Sequence, residues 1–358
     1  MMKILVFGTG VLLRGLIADC AEKAQMPITM ISSTPSGDER ARALVASGGK
    51  FTLRERGLAS DGSVVDTVRE VSIIESALTA SDDAEAVLAT ASDPEIGLVI
   101  SNVSESGFKI TEPKELSFPG RLTAWLRTRM EAGGAGVTVL PSELIADNGK
   151  KLRGMVAECD SDSVFLAWLD STCVFCDTLV DRICTQDDTD PLAAIVEPYT
   201  FWAIQGESVG ALGALAAANP GGIVVAESIE RFAMRKVRIL NGLHTAMASI
   251  GPSQYGVTTV REALEHPELG PWLESLLGDE ILPAICPPLE KADAEAFAAL
   301  TLLRMKNPFL VHKLSMIAVG AAVKWDARLL PTMAAYEERF GKKPAHLTTC
   351  REAFLAAT

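Results

Sequence analysis

Three side chains that together suit proton transfer lie within the segment RKVRILNGLH at residues 235–244. Lys236, Asn241 and His244 are separated by five and three residues, and on a regular α-helix they fall within an arc of about 140°. An amine can give or take a proton, whereas an amide and an imidazole can hydrogen-bond a carbonyl or alkoxide oxygen. This helix face suits the interconversion of an alcohol and a ketone. The alternative is a basic helix with a capping asparagine and a buried histidine.

Basic residues surround this group, with Arg231, Arg235, Lys236 and Arg238 falling within eight positions. The chain as a whole carries a formal net charge of −13, so a local group of cations would attract an anionic substrate that the rest of the protein repels. The same acidic balance argues against nucleic acid as a partner, because nucleic-acid binders normally present a basic field. We expect an anion-attracting site here, with a solvated helix face as the alternative.

The elements that must position these residues change in character along the chain. Up to about residue 228, short apolar runs alternate with helical patterns, which predicts a mainly parallel sheet. The predicted strands include residues 3–7, 28–32, 97–101 and 137–142, a strand pair over FTLRER and SVVDTVREVSII, and strand or mixed structure over FLAWLD (165–170) and CVFC (173–176). From residue 229 the patterns are helical and several breaks coincide with proline.

The turn after the first strand has the glycines of a nucleotide-binding loop. Gly8, Thr9 and Gly10 follow KILVF directly, and a helical pattern through Leu12 comes next. Glycine permits a tight turn and close approach of backbone to a pyrophosphate, and the following helix N-terminus favours its charge. The third glycine of the GxGxxG fingerprint would fall at Leu13, so the match is incomplete. We predict that this turn binds a dinucleotide.

The end of the second strand bears on which dinucleotide binds. An Asp or Glu there would grip a ribose 2′-hydroxyl, but the sequence reads ISST, so Ser33 or Thr34 would do so more weakly. Arg40 and Arg42 are candidates to meet a 2′-phosphate. The expected cofactor is NAD, and the sequence leaves NADP open.

The loop ISNVSESG at residues 100–107 follows a further predicted strand. Loops at the carboxyl ends of parallel strands face the cofactor crevice, so Ser101, Asn102 and Glu105 are predicted to line it. An ordinary polar turn is the alternative for these residues.

Cysteine and histidine usage does not favour a metal site. Seven cysteines are scattered, and Cys173 and Cys176 form a CxxC without the second pair that a zinc site needs. Buried structural thiols are expected, with Val174 and Phe175 between them in a buried strand, and free thiols suit a reducing cytoplasm. The glycine-interrupted N-terminus does not fit a signal peptide, and no continuous apolar run is long enough to predict a membrane span.

With these features placed, the chain resembles the polyol-specific long-chain dehydrogenase/reductase family, which includes mannitol dehydrogenase. The resemblance covers nearly the whole chain and is carried by segments that include FGTGVLLRG, ISNVSESG, FCDTLVDRI and RKVRILNGLHTA. It implies an α/β fold, with an N-terminal Rossmann-type doubly wound sheet over residues 1–228 and an all-helical C-terminal domain over 229–358. It also implies hydride transfer without a metal.

The resemblance implies roles for individual residues. The pattern K-x-x-x-x-N-x-x-H makes Lys236 the general acid/base, and makes Asn241 and His244 ligands of the reacting oxygen. The acidic loop residue near the nicotinamide corresponds to Glu105. Two departures concern the substrate: Asp177 stands where mannitol-type members have Asn, and Met316 stands where they present an Arg.

Met316 argues against mannitol as the substrate. Within the family, the resemblance is greatest to the members that reduce keto-uronates. The residues proposed to contact such a substrate are Asp177, Arg238, His312 and Lys324, the last as a partner for its carboxylate. The alternatives are fructuronate, mannitol or mannitol 1-phosphate as substrate, or a non-catalytic NADH-binding sensor. The expected partner is a small sugar acid or polyol, and the expected state is a monomer or small homo-oligomer.

Overall fold

The computed structural model describes residues 1–357 and separates the chain into two compact units. The units comprise Met1–Glu55 with Asp66–Ile229, and Arg56–Val65 with the chain from Glu230 onward. Segment 56–65, which the sequence analysis placed in the N-terminal domain, therefore groups with the helical unit. There the Arg56 carbonyl accepts a hydrogen bond from Nδ2 of Asn307, and the Arg56 guanidinium lies over the ring of Phe309.

The first unit mixes strands and helices, and the last residues of its strand Phe51–Leu58 and the first residues of its strand Val64–Val71 fall in segment 56–65 of the second unit. Its strands are β1 (Lys3–Phe7), β2 (Ile28–Ser32), β3 (Phe51–Leu58), β4 (Val64–Val71), β5 (Ile74–Thr79), β6 (Ile96–Ser101), β7 (Thr138–Pro141), β8 (Val174–Phe175), β9 (Thr178–Asp181), β10 (Cys184–Gln186), β11 (Ala194–Val196), β12 (Phe201–Gln205) and β13 (Ile223–Ala226). Its helices are α1 (Asp19–Lys23), α2 (Pro35–Ala46), α3 (Ala84–Ala89), α4 (Ser104–Gly107), α5 (Phe118–Glu131), α6 (Asn148–Cys159), α7 (Ser163–Thr172) and α8 (Gly210–Ala217). A π-helical stretch, Leu13–Ala18, precedes α1.

The main sheet is parallel and six-stranded, in the order β5-β2-β1-β6-β7-β8. Counting only these strands along the chain, the order is 3-2-1-4-5-6, as in dinucleotide-binding folds. The order in which the chain adds strands reverses between β1 and β6, and ligands of such sheets bind at the carboxyl ends of the strands at this point. The remaining strands form sheets in the orders β10-β11-β3-β4 and β13-β12-β9.

Both faces of the main sheet are covered. Along β1, Ile4 and Val6 join one buried apolar cluster, whereas Leu5 and Phe7 join the other. Successive side chains of a strand point to opposite faces, so a strand covered on both sides is apolar throughout. This explains why KILVF was readily recognised as a strand.

Side-chain caps fix where several helices begin. Thr34 accepts a hydrogen bond from the Gly37 N–H at the start of α2, and Asp162 accepts one from the Phe165 N–H at the start of α7. The prediction of strand or mixed structure over FLAWLD was wrong, because this segment lies within α7. Its buried side chains are Phe165 and Leu169, four residues apart, which is helical and not strand periodicity.

The CVFC segment also differs from its prediction. Val174, in the two-residue strand β8, is 53% exposed, so the strand is not buried as expected. Cys176 is buried and Cys173 is half-buried, and both are free thiols.

The second unit is built from helices. They are α9 (Glu230–Arg235), α10 (Asn241–Ile250), α11 (Val260–Glu265), α12 (Leu269–Ser275), α13 (Leu282–Ile285), α14 (Lys291–Met305), α15 (Leu314–Ala318), α16 (Ala321–Arg328), α17 (Leu330–Phe340) and α18 (Ala345–Ala357). π-Helical stretches occur at Lys236–Leu240, Gly251–Tyr255 and Leu276–Ile281. Residues 308–325, PFLVHKLSMIAVGAAVKW, have a helical sequence pattern but do not form one helix. α15 begins only at Leu314, and Gly320, with a φ of +67°, separates α15 from α16. Between residues 1 and 357, no helix is both long and apolar enough to cross a lipid bilayer.

Candidate active site

A cavity of about 500 Å³ lies at the carboxyl ends of β1, β2 and β6 in the first unit. Gly8, Thr9 and Gly10 form one wall, as predicted from the glycine pattern. Gly8 has a φ of +117°, and a Cβ there would come within 2.7 Å of Leu13 Cδ1 and 2.8 Å of the Asn102 carbonyl oxygen. Only glycine fits this position, whereas a Cβ at Gly10 would meet nothing within 4 Å and would project into open space.

The cavity suits an anion. Arg40 and Lys109 line it together with hydroxyl side chains that include Ser33, Thr34 and Ser36. Within the described part of the chain, no Asp or Glu contributes to its lining, although the protein has 46 acidic residues. A wall of cations, hydroxyls and backbone amides offers donors to phosphate oxygens. The residues present therefore fit a dinucleotide.

Other predicted cofactor residues differ in their placement. Ser33 and Asn102 line the cavity, whereas Leu12 packs against the apolar core and Ser101, 1% exposed, lies behind the wall. Glu105 is exposed on α4 and is not part of the lining, although the serines on either side of it are. Leu12, Ser101 and Glu105 are therefore not among the residues that line this cavity.

Arg14 is a structural element of the turn that the sequence analysis missed. Its fully buried guanidinium donates to the carbonyls of Thr9 and Leu192, and Nε of Arg40 donates to the same Thr9 carbonyl at 3.2 Å. In a planar trans peptide the Thr9 carbonyl and the Gly10 N–H point in opposite directions. Arg14 and Arg40 therefore fix the orientation of the Gly10 N–H. An arginine inside the apolar run VLLRGLIA was the available signal.

In the second unit, Lys236 and Asn241 are joined by a π-helical turn. The Asn241 N–H donates to the Lys236 carbonyl, a bond between residues five apart. In this geometry the two residues are separated by one turn, whereas a regular α-helix would place them about 140° apart. His244 lies three residues further along α10, which places it one turn on from Asn241. The three residues share a helix face more closely than the predicted regular helix allowed.

His244 is held as a neutral imidazole. Its ring packs edge-on against His312 with 4.8 Å between centroids. Burial, with contributions from the nearby His312, Arg328 and Arg304, lowers the pKa of His244 to about 3. Burial also lowers the pKa of His312. A neutral imidazole donates through one ring nitrogen and accepts through the other, so His244 can donate a hydrogen bond to an oxygen without carrying charge.

The arginines near this helix face have contacts of their own. Arg231 and Arg235 lie over the ring of Phe232 at 4.5 and 4.9 Å, and Arg235 also lies over Phe297. Arg238 donates to the carbonyls of Ala327 and Arg328, the last residues of α16. The contacts with Phe232 lie within α9, whereas those of Arg235 with Phe297 and of Arg238 with α16 join different helices. The predicted anion-attracting group is therefore not built from four unengaged cations.

Lys324 lies beside a smaller cavity of about 190 Å³ in the second unit. Thr245, Ser249 and Trp325 contribute to the same lining, and Lys324 Nζ donates to the Ile317 carbonyl at 2.8 Å. Burial, with a contribution from Arg328, lowers the pKa of Lys324. Met316, by contrast, is 68% exposed.

Asp177 is only 6% exposed, and its carboxylate faces the first turn of α6. One oxygen accepts the Lys150 N–H at 3.1 Å, and the other lies 3.4 Å from Lys150 Nζ. A carboxylate is favourable beside the N–H groups at a helix N-terminus. This contact gives a structural reason for an acid at this position. Among the described residues, no group of three or more His, Cys, Asp or Glu side chains is placed to hold a metal ion.

The strand order, the glycine turn and the anion-accepting cavity define a dinucleotide-binding protein, and the Lys-Asn-His face adds the groups of an alcohol-ketone oxidoreductase. Two family models match this chain: the mannitol dehydrogenase Rossmann domain over residues 2–214 and the mannitol dehydrogenase C-terminal domain over residues 228–355. The chain belongs to the mannitol dehydrogenase family, which confirms the family and fold predicted from its sequence.

Curated proteins with sequences similar to this chain include altronate oxidoreductases. Altronate oxidoreductase of Bacillus subtilis (strain 168) is 34% identical over 99% of this chain and 79% of the relative. Altronate oxidoreductase of Halalkalibacterium halodurans is 33% identical over 96% of this chain and 73% of the relative.

Two solved structures share the fold. D-sorbitol dehydrogenase in substrate-free form has a TM-score of 0.85 at 21% identity, covering 99% of this chain and 80% of that one. Pseudomonas fluorescens mannitol 2-dehydrogenase, in a ternary complex with NAD and D-mannitol, has a TM-score of 0.76 at 18% identity, covering 99% of this chain and 78% of that one.

Proposed function

We propose that this chain is an NAD-dependent dehydrogenase that interconverts a keto-uronate and an aldonate, with tagaturonate and altronate as the pair. The observation that carries the proposal is the aligned face of Lys236, Asn241 and His244 in a chain similar over nearly its whole length to altronate oxidoreductases. A polyol substrate would need no carboxylate partner, whereas a keto-uronate does, and Lys324 is the proposed partner.

The chain's own residues account for the proton chemistry. When bound, the nicotinamide supplies or accepts the hydride. In reduction Lys236 gives a proton to the ketone oxygen, and in oxidation it takes the proton from the hydroxyl. Asn241 and His244 donate hydrogen bonds to that oxygen as negative charge develops, which stabilises the transition state. Neutral His244 donates without giving up a proton of its own, so the proton transfer is left to Lys236.

We propose NAD rather than NADP as the cofactor. Of the two arginines that were candidates for a 2′-phosphate, Arg42 pairs with Asp82 at 2.9 Å and Arg40 donates through Nε to the Thr9 carbonyl. Both contacts engage the arginines within the protein. Gly8, Thr9, Gly10, Ser33 and Asn102 would hold the dinucleotide.

The test is a panel of tagaturonate, fructuronate, mannitol and mannitol 1-phosphate with NADH or NAD and with their phosphorylated forms, followed at the nicotinamide absorbance. We expect tagaturonate with NADH to give the highest kcat/KM. Lys236→Met should lower kcat by about 100-fold or more with unchanged NADH binding, because that is the usual worth of a positioned acid/base. Lys291→Met is the matched control, since this lysine is 80% exposed in the same unit.

Different failures have different meanings. A preference for fructuronate or a polyol would leave the chemistry and replace the substrate. NADH binding without turnover on any substrate would favour the sensor alternative. A Lys236→Met variant that keeps more than a tenth of wild-type kcat would remove Lys236 from the mechanism.

A further inference from the structure

A buried carboxylate lies directly behind the wall of the dinucleotide cavity. Glu143 follows β7 and is 3% exposed. One of its oxygens accepts the Val103 N–H at 2.9 Å, and the other accepts the Ser101 hydroxyl at 3.1 Å. Val103 and its neighbour Asn102 line the cavity. Glu143 itself does not line it, so the carboxylate acts on the wall from behind.

Further bonds join the same two loops. Nδ2 of Asn102 donates to the Ser142 carbonyl at 3.0 Å, and the Ser142 hydroxyl and N–H both donate to the Ser101 carbonyl. On the far side, Nδ2 of the fully buried Asn148 donates to the Glu143 carbonyl at 3.0 Å. The loop after β6 is thus fastened to the loop after β7, and that loop is fastened to α6.

The loop after β6 has a strained backbone and lies close to the glycine turn. Ser104 has a φ of +68°, a conformation unfavourable for a residue with a side chain. The Asn102 carbonyl lies so near Gly8 that a Cβ there would be 2.8 Å from it. A shift of this loop would therefore alter the turn that approaches the pyrophosphate.

We propose that Glu143 is a positioning residue for the cofactor: its carboxylate holds the Asn102–Val103 wall in the geometry that binds the dinucleotide. The inference rests on the proposed dinucleotide binding in this cavity. Both partners donate to Glu143, and a carboxylate is suited to this because it accepts through both of its oxygens. A glutamine of the same size would accept the Val103 N–H only through a neutral carbonyl oxygen, and its NH₂ group would face the Ser101 hydroxyl, which would then have to accept instead of donate.

The chain offers a matched control. Glu197 is also 3% exposed, lies in the same unit and accepts a backbone N–H, from Ile183 at 2.7 Å, but it does not line the cavity. Glu143→Gln and Glu197→Gln make the same chemical change at the same burial. Both should lower the free energy of unfolding, because each replaces a buried charge-assisted hydrogen bond with a weaker neutral one.

The experiment measures the Kd for NADH of the full-length wild type and both variants by nicotinamide fluorescence, alongside urea unfolding. We expect the Kd to rise about tenfold or more in Glu143→Gln, where neither hydrogen bond to the wall is charge-assisted any longer, and to stay within about twofold in Glu197→Gln. Ser101→Ala keeps the bond from the Val103 N–H to Glu143 and should give a smaller rise in the Kd. It also provides the test if the Glu143→Gln variant does not fold.

Equal Kd values in wild type, Glu143→Gln and Ser101→Ala would overturn the proposal, as would equal losses in the Glu143→Gln and Glu197→Gln variants. If Glu143→Gln does not fold, an unchanged Kd in Ser101→Ala has the same meaning. Failure of the wild type to bind NADH would instead contradict the proposed function, so the two failures are distinguishable.

Discussion

Gly8 and Gly10 of the cofactor turn are glycine for different physical reasons, so alanine should affect a different property of the protein at each position. Gly8→Ala introduces a Cβ that meets Leu13 and the Asn102 carbonyl at 2.7 and 2.8 Å, at a φ of +117°. Gly10→Ala introduces a Cβ with nothing within 4 Å, on a residue that lines the cavity. We expect Gly8→Ala to lose stability and Gly10→Ala to lose affinity for the cofactor.

The magnitude of the first effect follows from two contributions. The left-handed backbone costs a residue with a Cβ about 1–2 kcal/mol, and overpacking costs about 1–3 kcal/mol. Gly8→Ala should therefore lower the free energy of unfolding by about 2–5 kcal/mol. Gly133→Ala isolates the backbone contribution, since Gly133 has a φ of +71° and open space around it, and should cost about 1–2 kcal/mol. Gly10→Ala should change stability by about 0.5 kcal/mol or less.

The assays are urea unfolding followed by tryptophan fluorescence and titration with NADH. Gly10→Ala should weaken NADH binding about tenfold, because its methyl group occupies the position where backbone must approach the pyrophosphate. Gly133→Ala should bind NADH as the wild type does. The reasoning is refuted if Gly10→Ala is as unstable as Gly8→Ala, or if Gly10→Ala binds NADH with wild-type affinity.

Three further predictions concern other residues. The pKa of His244 is about 6.5 in the unfolded state and about 3 in the folded state, so between these pH values only the unfolded state is protonated at this residue. The contribution of His244 to the free energy of unfolding is therefore complete above pH 6.5 and falls as the pH is lowered. Between pH 6.5 and 5, wild type should lose up to about 2 kcal/mol more than His244→Gln in urea unfolding, and parallel profiles would contradict the assigned burial. Asp177→Ala should lower the free energy of unfolding by about 1 kcal/mol through loss of the acceptor at α6, and unchanged urea midpoints would exclude that role. Arg40→Met should weaken NADH and NADPH binding by the same factor, because Arg40 supports the Thr9 carbonyl, whereas a selective loss of NADPH binding would identify a 2′-phosphate contact.

Features encoded over a few neighbouring residues were predictable from the sequence. The apolar runs of β1, β2 and β6, the glycine turn and the change to helices after β13 all follow from local pattern. The grouping of Lys236, Asn241 and His244 was also visible, because nine consecutive positions contain all three. Its geometry was not, since helical wheels assume a regular α-helix and the structure has a π-turn between Lys236 and Asn241.

Local pattern misled where a segment was compatible with two periods. FLAWLD is rich in aromatic and apolar residues, which suits a strand, but the cap at Asp162 begins a helix there. The left-handed backbone at Gly320 likewise divides residues 314–328 into two helices, although the hydrophobic pattern alone is compatible with one.

The composition and short-range pattern of this sequence determined its fold class, its family and the types of group available for chemistry. Only the tertiary structure decided which groups meet. Arg14 contacts a carbonyl 178 residues away, Glu143 reaches the Ser101 hydroxyl 42 residues earlier, and Asp177 contacts the start of α6 27 residues before it. Such contacts depend on how strands are ordered in the sheet and on which buried polar groups remain to be satisfied, and these are properties of the packed chain that no short stretch of residues specifies.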